Sequence, residues 1–505
     1  MALAQVHGVV VWGVSGALVR VEVDVSSGLP SVGVIGLPDT SVSESRWRVR
    51  SAVASIDASW PNQRVTISLS PAEVPKNGAG LDLPIAVGVL LASDQLPGAD
   101  VSATTFIGEL GLDGRLRPTR GAMAGALAAR AGGLGRIIVA PQNATEIARL
   151  PGISVVAARD LAGVVAILRG ADPGETVPAP SEHEVLEGPD LSDVRGHDHA
   201  RFALAVAAAG GHHMALVGPP GVGKTMLAER LPGLLPDLDD ETAVEVAAIH
   251  SVACLTRPDV TRPPYRAPHH SASSAALLGA AQGHRVRPGA VTLAHRGVLF
   301  LDEAPEFSRP SLEGLRQPLE SGQVSLHRSG WAGLLPAAFQ LVLAANPCPC
   351  GHRTGNGAGC SCPAQAVRRY GSRLSGPLVD RIDIRMWLTQ PSPAELAAQQ
   401  GGDDSAAVRA TVVQARARAR HRFDGLPWST NAAIPAGRLR RDWRPSSGGA
   451  DLLADLERRA VNLRGPDRVL RMAWTVADLA GRDRPGRDEV AVALGLRGAG
   501  LGWVG

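Results

Sequence analysis

The segment Gly218–Thr225 reads GPPGVGKT and matches the phosphate-binding pattern G-x-x-x-x-G-K-[ST] at every required position. Glycines allow a tight turn that directs backbone N–H groups at phosphate oxygens. Lys224 supplies positive charge for the β- and γ-phosphates, and the Thr225 hydroxyl is a ligand for Mg²⁺. The pattern therefore predicts binding of ATP and Mg²⁺ by the following residues: Gly218, Pro219, Pro220, Gly221, Val222, Gly223, Lys224 and Thr225.

An acidic pair that could complete this chemistry follows an apolar stretch. Gly297–Glu303 reads GVLFLDE, which predicts a buried parallel strand ending at Asp302 and Glu303. Asp302 would hold Mg²⁺ through water, and Glu303 would polarise the attacking water. The next apolar strand, Phe339–Ala345, ends at Asn346, whose side chain could contact the γ-phosphate.

Two arginines are candidates for contacts with phosphate. Arg381 lies in Ser372–Asp383, which we predict to be a helix just past the core sheet. A fixed arginine there suits a finger that acts on the nucleotide of a neighbouring subunit. Arg464 stands at the start of a predicted helix and could swing onto bound phosphate.

Four cysteines lie close together, at Cys348, Cys350, Cys360 and Cys362, and predict one structural Zn²⁺. Their C-x-C pairs are tighter than the usual C-x₂-C spacing, so a reduced cysteine-rich loop remains the alternative, and His352 could replace one ligand. The cysteine usage does not fit a disulfide framework and predicts a cytoplasmic location.

Two further basic groups receive plainer interpretations. Adjacent residues of an extended segment point to opposite faces, so His269 and His270 are predicted not to share an ion. A polar loop or an inter-subunit contact is favoured for them. The chain has only two lysines among its 51 basic residues, Lys76 and Lys224, and Lys76 is predicted to be a surface residue.

These residues need a multidomain scaffold. Residues 1–170 predict an α+β domain, and residues 171–190, rich in proline, glycine and glutamate, predict a linker. Residues 191–390 predict a central α/β P-loop domain, and residues 391–505 predict an α-helical lid. Within the core, Gln323–Arg328 and Trp331–Leu335 predict a β-hairpin. It is either structural or a pore loop that touches a threaded polymer.

Composition limits the classes of partner. No run of about eighteen apolar residues is present, so no membrane span is predicted. The net charge of +3 is too small to indicate nucleic acid by itself. From Arg409 onward, 18 arginines oppose 10 acidic residues, which indicates either a basic patch or a solvated helical face. The 17 aromatic residues offer no evident stacking platform for single strands.

The N-terminal sequence resembles a known catalytic domain. PKNGAGLDLPIA (Pro75–Ala86) and the stretch Gly108–Ala129 resemble the proteolytic domain of Lon-type proteases, which implies a ribosomal S5 domain 2-like fold. Those enzymes use a Ser–Lys dyad, but Gly80 and Met123 stand at the matching positions. Neither side chain can act as nucleophile or base, so we expect a non-catalytic scaffold.

Taken together, GPPGVGKT, GVLFLDE, AANPCPCG and SGPLVDRID resemble the ComM/YifB family of magnesium-chelatase-like AAA+ ATPases over essentially the whole chain. This resemblance implies a ring, a hexamer, with ATP at its subunit interfaces. It further implies a DNA motor, a branch-migration helicase for recombination intermediates in transformation or repair. Arg381 matches the trans-acting finger and Arg464 the second sensor.

Two other functions compete with the DNA motor. One is the ATPase subunit of a metal chelatase that inserts Mg²⁺ into a porphyrin, and the other is an ATP-dependent protease or unfoldase. The missing dyad argues against proteolysis by this chain alone. The Lon-like domain and the four-cysteine loop are not expected of a chelatase ATPase subunit.

Overall fold

The computed structural model describes residues 2–177, 188–255, 260–282, 285–328, 331–353, 359–393, 403–459 and 464–498. Its architecture is mixed α/β, with two large sheets and a helical C-terminal region. None of the helices in these ranges is long and apolar enough to cross a membrane.

The N-terminal part is built on one sheet of eight described strands, in the order β10-β9-β8-β5-β1-β2-β4-β3. The strands of the N-terminal part are β1 (Ala2–Trp12), β2 (Ser15–Ser26), β3 (Ser31–Ile35), β4 (Arg64–Ser70), β5 (Thr104–Ile107), β6 (Glu109–Leu110), β7 (Leu116–Arg117), β8 (Arg136–Val139), β9 (Ser154–Ala157) and β10 (Glu175–Thr176), of which β6 and β7 form a separate two-stranded sheet. Its helices are α1 (Thr40–Ala54), α2 (Asp82–Ala92), α3 (Ala122–Ala131), α4 (Pro141–Ile147) and α5 (Leu161–Leu168).

Local sequence explains this sheet. Buried and part-exposed residues alternate along β4, as expected of a strand with one face on the core. Helix α2 is apolar almost all round and is correspondingly buried. Strand β10 lies within the predicted linker and pairs with β9, while residues 178–187 lie outside the described residues.

The prediction that Lys76 is a surface residue is wrong. Its side chain is fully buried, and its ammonium group donates a hydrogen bond to the Pro71 carbonyl oxygen. Burial lowers the pKa of this ammonium group. A lysine can be accommodated in this way because its stem is apolar and the local backbone provides an acceptor.

The central part carries a parallel sheet of five described strands, in the order β12-β15-β18-β11-β19. The strands of this part are β11 (Met214–Val217), β12 (Tyr265–Arg266), β13 (Gly279–Gln282), β14 (Arg285–Pro288), β15 (Val298–Leu301), β16 (Gln323–Arg328), β17 (Trp331–Pro336), β18 (Gln340–Ala345) and β19 (Ile384–Trp387). The helices are α6 (Asp198–Gly210), α7 (Lys224–Leu234), α8 (Asp240–Val252), α9 (Ser274–Leu278), α10 (Ala290–Leu293), α11 (Arg309–Gly314), α12 (Arg316–Ser321), α13 (Ala364–Gly371) and α14 (Gly376–Val379).

Two local predictions in this part have different outcomes. Strands β16 and β17 pair antiparallel, which confirms the hairpin; the side chains of Arg328 and Trp331 lie outside the described part of the structure. The helix predicted over Ser372–Asp383 is wrong, because only the single turn α14 forms. Pro377 cannot donate the backbone hydrogen bond that a continuous helix would need there.

The C-terminal part is helical and packs on the central part. Its helices are α15 (Ser405–Arg422), α16 (Ala436–Asp442), α17 (Ser447–Arg459), α18 (Arg464–Leu479) and α19 (Arg487–Leu496). Val412 of α15 and Met472 of α18 share one apolar core with Leu204 of α6 and Leu227 of α7. The helical region is therefore attached directly to the helix that begins at Lys224.

The N-terminal and central parts also share a core. Val244, Ile249 and Val252 of α8 cluster with Met123 and Ala126 of α3. These apolar contacts join the first sheet to the central part through α8.

Candidate nucleotide-binding site

The GPPGVGKT segment forms the loop between β11 and α7. Gly221 and Gly223 have φ values of 75° and 90°, a left-handed conformation that glycine adopts without steric cost. A Cβ atom at Gly218 would lie 2.7 Å from the Leu388 carbonyl oxygen, so this position also requires glycine. The loop opens onto the N-terminus of α7, where free N–H groups and the helix dipole favour an anion.

Lys224 lies inside this loop. Its Nζ donates to the carbonyl oxygens of Gly218 at 2.7 Å and Pro219 at 2.8 Å, and to Asn346 Oδ1 at 3.0 Å. Burial lowers the pKa of the ammonium group, and the negative charges of Asp302 and Glu303 oppose this shift. A phosphate is a stronger acceptor than these neutral oxygens and would compete for the same N–H groups.

The acidic pair lies at the same edge of the sheet, directly after β15. The Thr225 hydroxyl donates to Asp302 Oδ2 at 2.7 Å, and the Glu303 N–H donates to Asp302 Oδ1 at 2.8 Å. Hydroxyl and carboxylate oxygens are hard ligands of the kind that Mg²⁺ prefers, so the residues present fit this ion. Glu303 has a φ of 50°, which is uncommon for a residue other than glycine.

A residue that sequence reasoning missed stands beside Glu303. His270 Nδ1 lies 3.0 Å from Glu303 Oε2. The expectation that His269 and His270 point to opposite faces is wrong, because the chain turns here and their ring centroids are 4.1 Å apart. No local sequence pattern indicates this contact, because His270 lies beyond β12 and meets Glu303 only through the pairing of β12 with β15.

Arg381 and Arg464 lie elsewhere. Arg381 comes three residues before β19, which runs parallel to β11 with Met214 opposite Ile384. Arg381 is therefore at the amino edge of the sheet, with roughly 10 Å of strand between it and the edge that carries the phosphate loop. Both arginines line a cavity of about 1010 Å³, together with Arg468 and Arg471.

The Arg381 side chain is held within its own chain. Its guanidinium group donates to the Glu320 carboxylate and to the Pro377 carbonyl oxygen. Burial and then the like charges of Arg316, Arg464 and Arg468 lower its pKa. Glu320 thus offsets part of an otherwise repulsive group of guanidinium charges.

The four cysteines come together as predicted. Their sulfur atoms all lie within 4.8 Å of one another, and among the described residues this ligand group does not include His352. Burial raises the pKa of Cys348 to about 12, whereas a hydrogen bond from the His352 backbone lowers that of Cys350 to about 6. A cluster of four thiols could bind one metal ion.

The positions matching the Lon-type dyad lie near the shared core of the N-terminal and central parts. Gly80 lines a cavity of about 330 Å³ together with Asn77, Thr119 and Arg120. Met123 is buried, and its N–H lies 3.4 Å from Ser251 Oγ of α8. A side chain at Gly80 would have space, because the nearest atom to an added Cβ is 3.7 Å away.

Family comparisons cover all three parts of the chain. The profile described as Magnesium chelatase, subunit ChlI matches residues 190–396. Subunit ChlI of Mg-chelatase matches residues 21–143, and Magnesium chelatase, subunit ChlI C-terminal matches residues 402–497. The fold and the site are thus those of a magnesium-chelatase-like protein, a class for which ATP and Mg²⁺ are the implied ligands.

Full-length relatives refine this class. An uncharacterized protein of Mycobacterium tuberculosis is 47% identical over 506 residues, covering 99% of both chains. YifB of Escherichia coli is 41% identical over 98% of this chain and 97% of its own length. The competence protein ComM of Haemophilus influenzae is 39% identical over 98% of both chains. The chain therefore belongs to the ComM/YifB family.

Proposed function

We propose that this chain is an AAA+ ATPase that assembles into a ring, a hexamer by its family resemblance, and moves branched DNA. Lys224 and Asn346 bind the terminal phosphates, and Glu303 orients the attacking water. Thr225 and Asp302 would hold Mg²⁺, which supplies positive charge next to the phosphates when bound.

The main observation that supports a ring is the separation between Arg381 and the phosphate loop of its own chain. The two lie at opposite edges of the parallel sheet, about 10 Å of strand apart, which supports contact between Arg381 and a nucleotide bound to a neighbouring chain. Arg464 shares its cavity and would act on the same neighbour. In this arrangement each active site needs residues from two chains.

The parts outside the sheet fit the same interpretation. We infer that the N-terminal domain is a Lon-like scaffold without peptidase activity, because Gly80 and Met123 carry no reactive group. The helical region acts as the lid, since it packs on α7, which begins at Lys224, and carries Arg464. The missing dyad weighs against an ATP-dependent protease.

Support for DNA as the partner comes from three sources. The C-terminal region is rich in arginine, a hairpin precedes the strand that ends at Asn346, and one relative carries the name competence protein. Competence is the state in which bacteria take up DNA. The chelatase ATPase subunit is the competing function, and the two differ in what stimulates ATP hydrolysis.

The test compares ATPase rates alone, with four-way DNA, with linear duplex of equal length and with porphyrin plus Mg²⁺. We expect branched DNA to raise the rate most and porphyrin to leave it unchanged. Binding should weaken steeply with salt and vary little with base sequence, because phosphate contacts dominate. Lys224→Ala is the control for contaminating ATPase. No stimulation by any DNA would contradict this function.

A further inference from the structure

The four-cysteine segment begins and ends at the proposed nucleotide site. Asn346, which accepts a hydrogen bond from Lys224 at 3.0 Å, precedes Cys348 by two residues. Cys348 is fully buried, and its sulfur lies 3.3 Å from that of Cys350 and 3.6 Å from that of Cys360. The position of the cysteines is thus tied through the backbone to a residue that contacts the site lysine.

Gly351 brings the same segment against the phosphate loop. It has a φ of 79°, and a Cβ atom there would lie 2.6 Å from Cδ of Pro220. The glycine backbone therefore packs directly on the loop, with no room for a side chain between them. Pro220 is the third residue of GPPGVGKT, so the cysteine segment forms a wall of that loop.

The segment also returns to the site after its last cysteine. Helix α13 begins at Ala364, two residues past Cys362, and carries the buried Tyr370. Arg373, just beyond α13, donates to the Pro305 carbonyl oxygen at 3.0 Å. Pro305 lies two residues after Glu303, so the four-cysteine segment is anchored at the phosphate loop on one side and near the acidic pair on the other.

A bound metal ion would hold the two ends of the four-cysteine segment together. The four sulfurs lie within 4.8 Å of one another, and none of these cysteines is in a disulfide. Four cysteine thiolates are a ligand set of structural Zn²⁺ and leave no open position for chemistry. Because such sites form together with the local fold, the binding energy of the ion contributes to holding the loop.

We propose that these cysteines bind one Zn²⁺ and that the ion holds a wall of the nucleotide site, so nucleotide affinity depends on zinc. The affinity part of this proposal rests on ATP binding at GPPGVGKT. With the metal bound, Gly351 stays against Pro220 and Asn346 stays beside Lys224. Without it, the cysteine segment relaxes and both contacts weaken.

The first experiment uses Cys348→Ser and Cys350→Ser, with Cys254→Ser as the matched control, since Cys254 is exposed and outside the cluster. Zinc is measured by elemental analysis of protein purified without added metal, and affinity by titration with a fluorescent ADP analogue. We expect one zinc per chain in the parent and control, and none in the cluster variants. Nucleotide affinity should fall by at least about tenfold in the cluster variants, equal to about 1.4 kcal/mol.

A second variant separates the contact from the metal. Gly351→Ala keeps all four thiols but places a Cβ against Pro220 and strains a left-handed backbone position. We expect it to retain zinc and still bind nucleotide more weakly. Circular dichroism and the thermal midpoint confirm that each variant is folded before affinities are compared.

The outcomes separate the parts of the proposal. Absence of zinc from the parent protein overturns the metal site. If nucleotide affinity stays unchanged after loss of zinc or in Gly351→Ala, the proposed dependence of nucleotide affinity on zinc is overturned. If the parent binds no nucleotide, the proposed function fails. The coupling is then decided by hydrogen exchange at residues 218–225 without nucleotide: removing zinc with a chelator should speed exchange, and unchanged exchange overturns it.

Discussion

Lys224 and Glu303 have separable tasks because they contact different parts of the proposed reaction. Lys224 lies within the loop and would bind phosphate in the ground state, whereas Glu303 would act only on the attacking water. Loss of the first should affect binding, and loss of the second should affect turnover.

We therefore predict that Lys224→Ala abolishes measurable nucleotide binding. Glu303→Gln should bind ATP with nearly the parent affinity but lose most turnover, by about 100-fold or more. Affinity is measured by titration of a fluorescent ATP analogue, and turnover by phosphate release. Glu44→Gln, an exposed carboxylate on α1 of the N-terminal part, is the matched control. Normal hydrolysis by Glu303→Gln would contradict the role given to Glu303.

Single residues were predictable where the signal is local. The phosphate loop, Asp302 and Asn346 each follow a buried apolar strand within a few residues, so sequence spacing alone placed them at one edge. Lys76 and His270 were misread because their environments are non-local. Lys76 is buried where its backbone pairs with Leu37 and Asp39, and His270 meets Glu303 only because β12 pairs with β15.

The attachment of α18 to β19 depends on one buried ionic group. Asp383, immediately before β19, accepts a hydrogen bond from Arg468 of α18 and contacts His212 Nδ1 at 3.2 Å. Burial alone would raise the Asp383 pKa, but the Arg468 charge and the His212 hydrogen bond hold it well below its usual range. Arg468 also donates to the Arg381 carbonyl oxygen at 3.1 Å, which ties the C-terminal helical region to Arg381.

We predict that Arg468→Met lowers the free energy of unfolding by about 3 to 5 kcal/mol, because it removes the arginine that compensates the buried Asp383 charge. In the parent protein the low pKa of Asp383 contributes stability above its unfolded pKa of about 4. In the variant the Asp383 pKa rises, so protonation of this carboxyl group at lower pH removes the free-energy cost of burying its charge. The difference in thermal midpoint should therefore narrow as pH falls from 8 to 5.

Arg438→Met is the control for this change. Arg438 forms an exposed pair with Asp442, and its loss should cost no more than about 1 kcal/mol at any pH. An equal effect of both substitutions, or a gap that widens on acidification, would argue against the buried ionic group.

Secondary structure, like the single site residues, was predictable from the sequence where the signal is local. The hairpin β16–β17 and the helices α15 and α19 follow from alternating or helical patterns in the sequence. The prediction of one helix over Ser372–Asp383 was wrong because a new short helix begins at Gly376, with Ser375 before it and Pro377 in its first turn. Arg381 and Glu320 are 61 residues apart in the sequence, and no local pattern predicts their ion pair.

The proposed ring rests on the placement of Arg381 relative to the sheet. One chain presents a phosphate loop at the carboxyl edge and an arginine at the amino edge, so adjoining chains in a ring would complete each other's sites. In this proposal the arginine would stabilise charge that develops only in the transition state. Arg381→Ala should therefore bind ATP normally and lose most turnover.

Mixing two inactive chains tests this arrangement directly. We predict that Arg381→Ala and Lys224→Ala chains, each inactive alone, regain part of the parent ATPase activity when combined. A mixed interface can then draw an intact phosphate loop from one chain and an intact arginine from the other. The measurement is phosphate release at fixed total protein over a range of mixing ratios, with differently tagged chains co-purified to show that mixed rings form. A cis-acting arginine gives no recovery in mixed rings, because no single chain has both residues. As a control, Lys224→Ala mixed with Glu303→Gln should stay inactive, since both substitutions disable the same half of the interface.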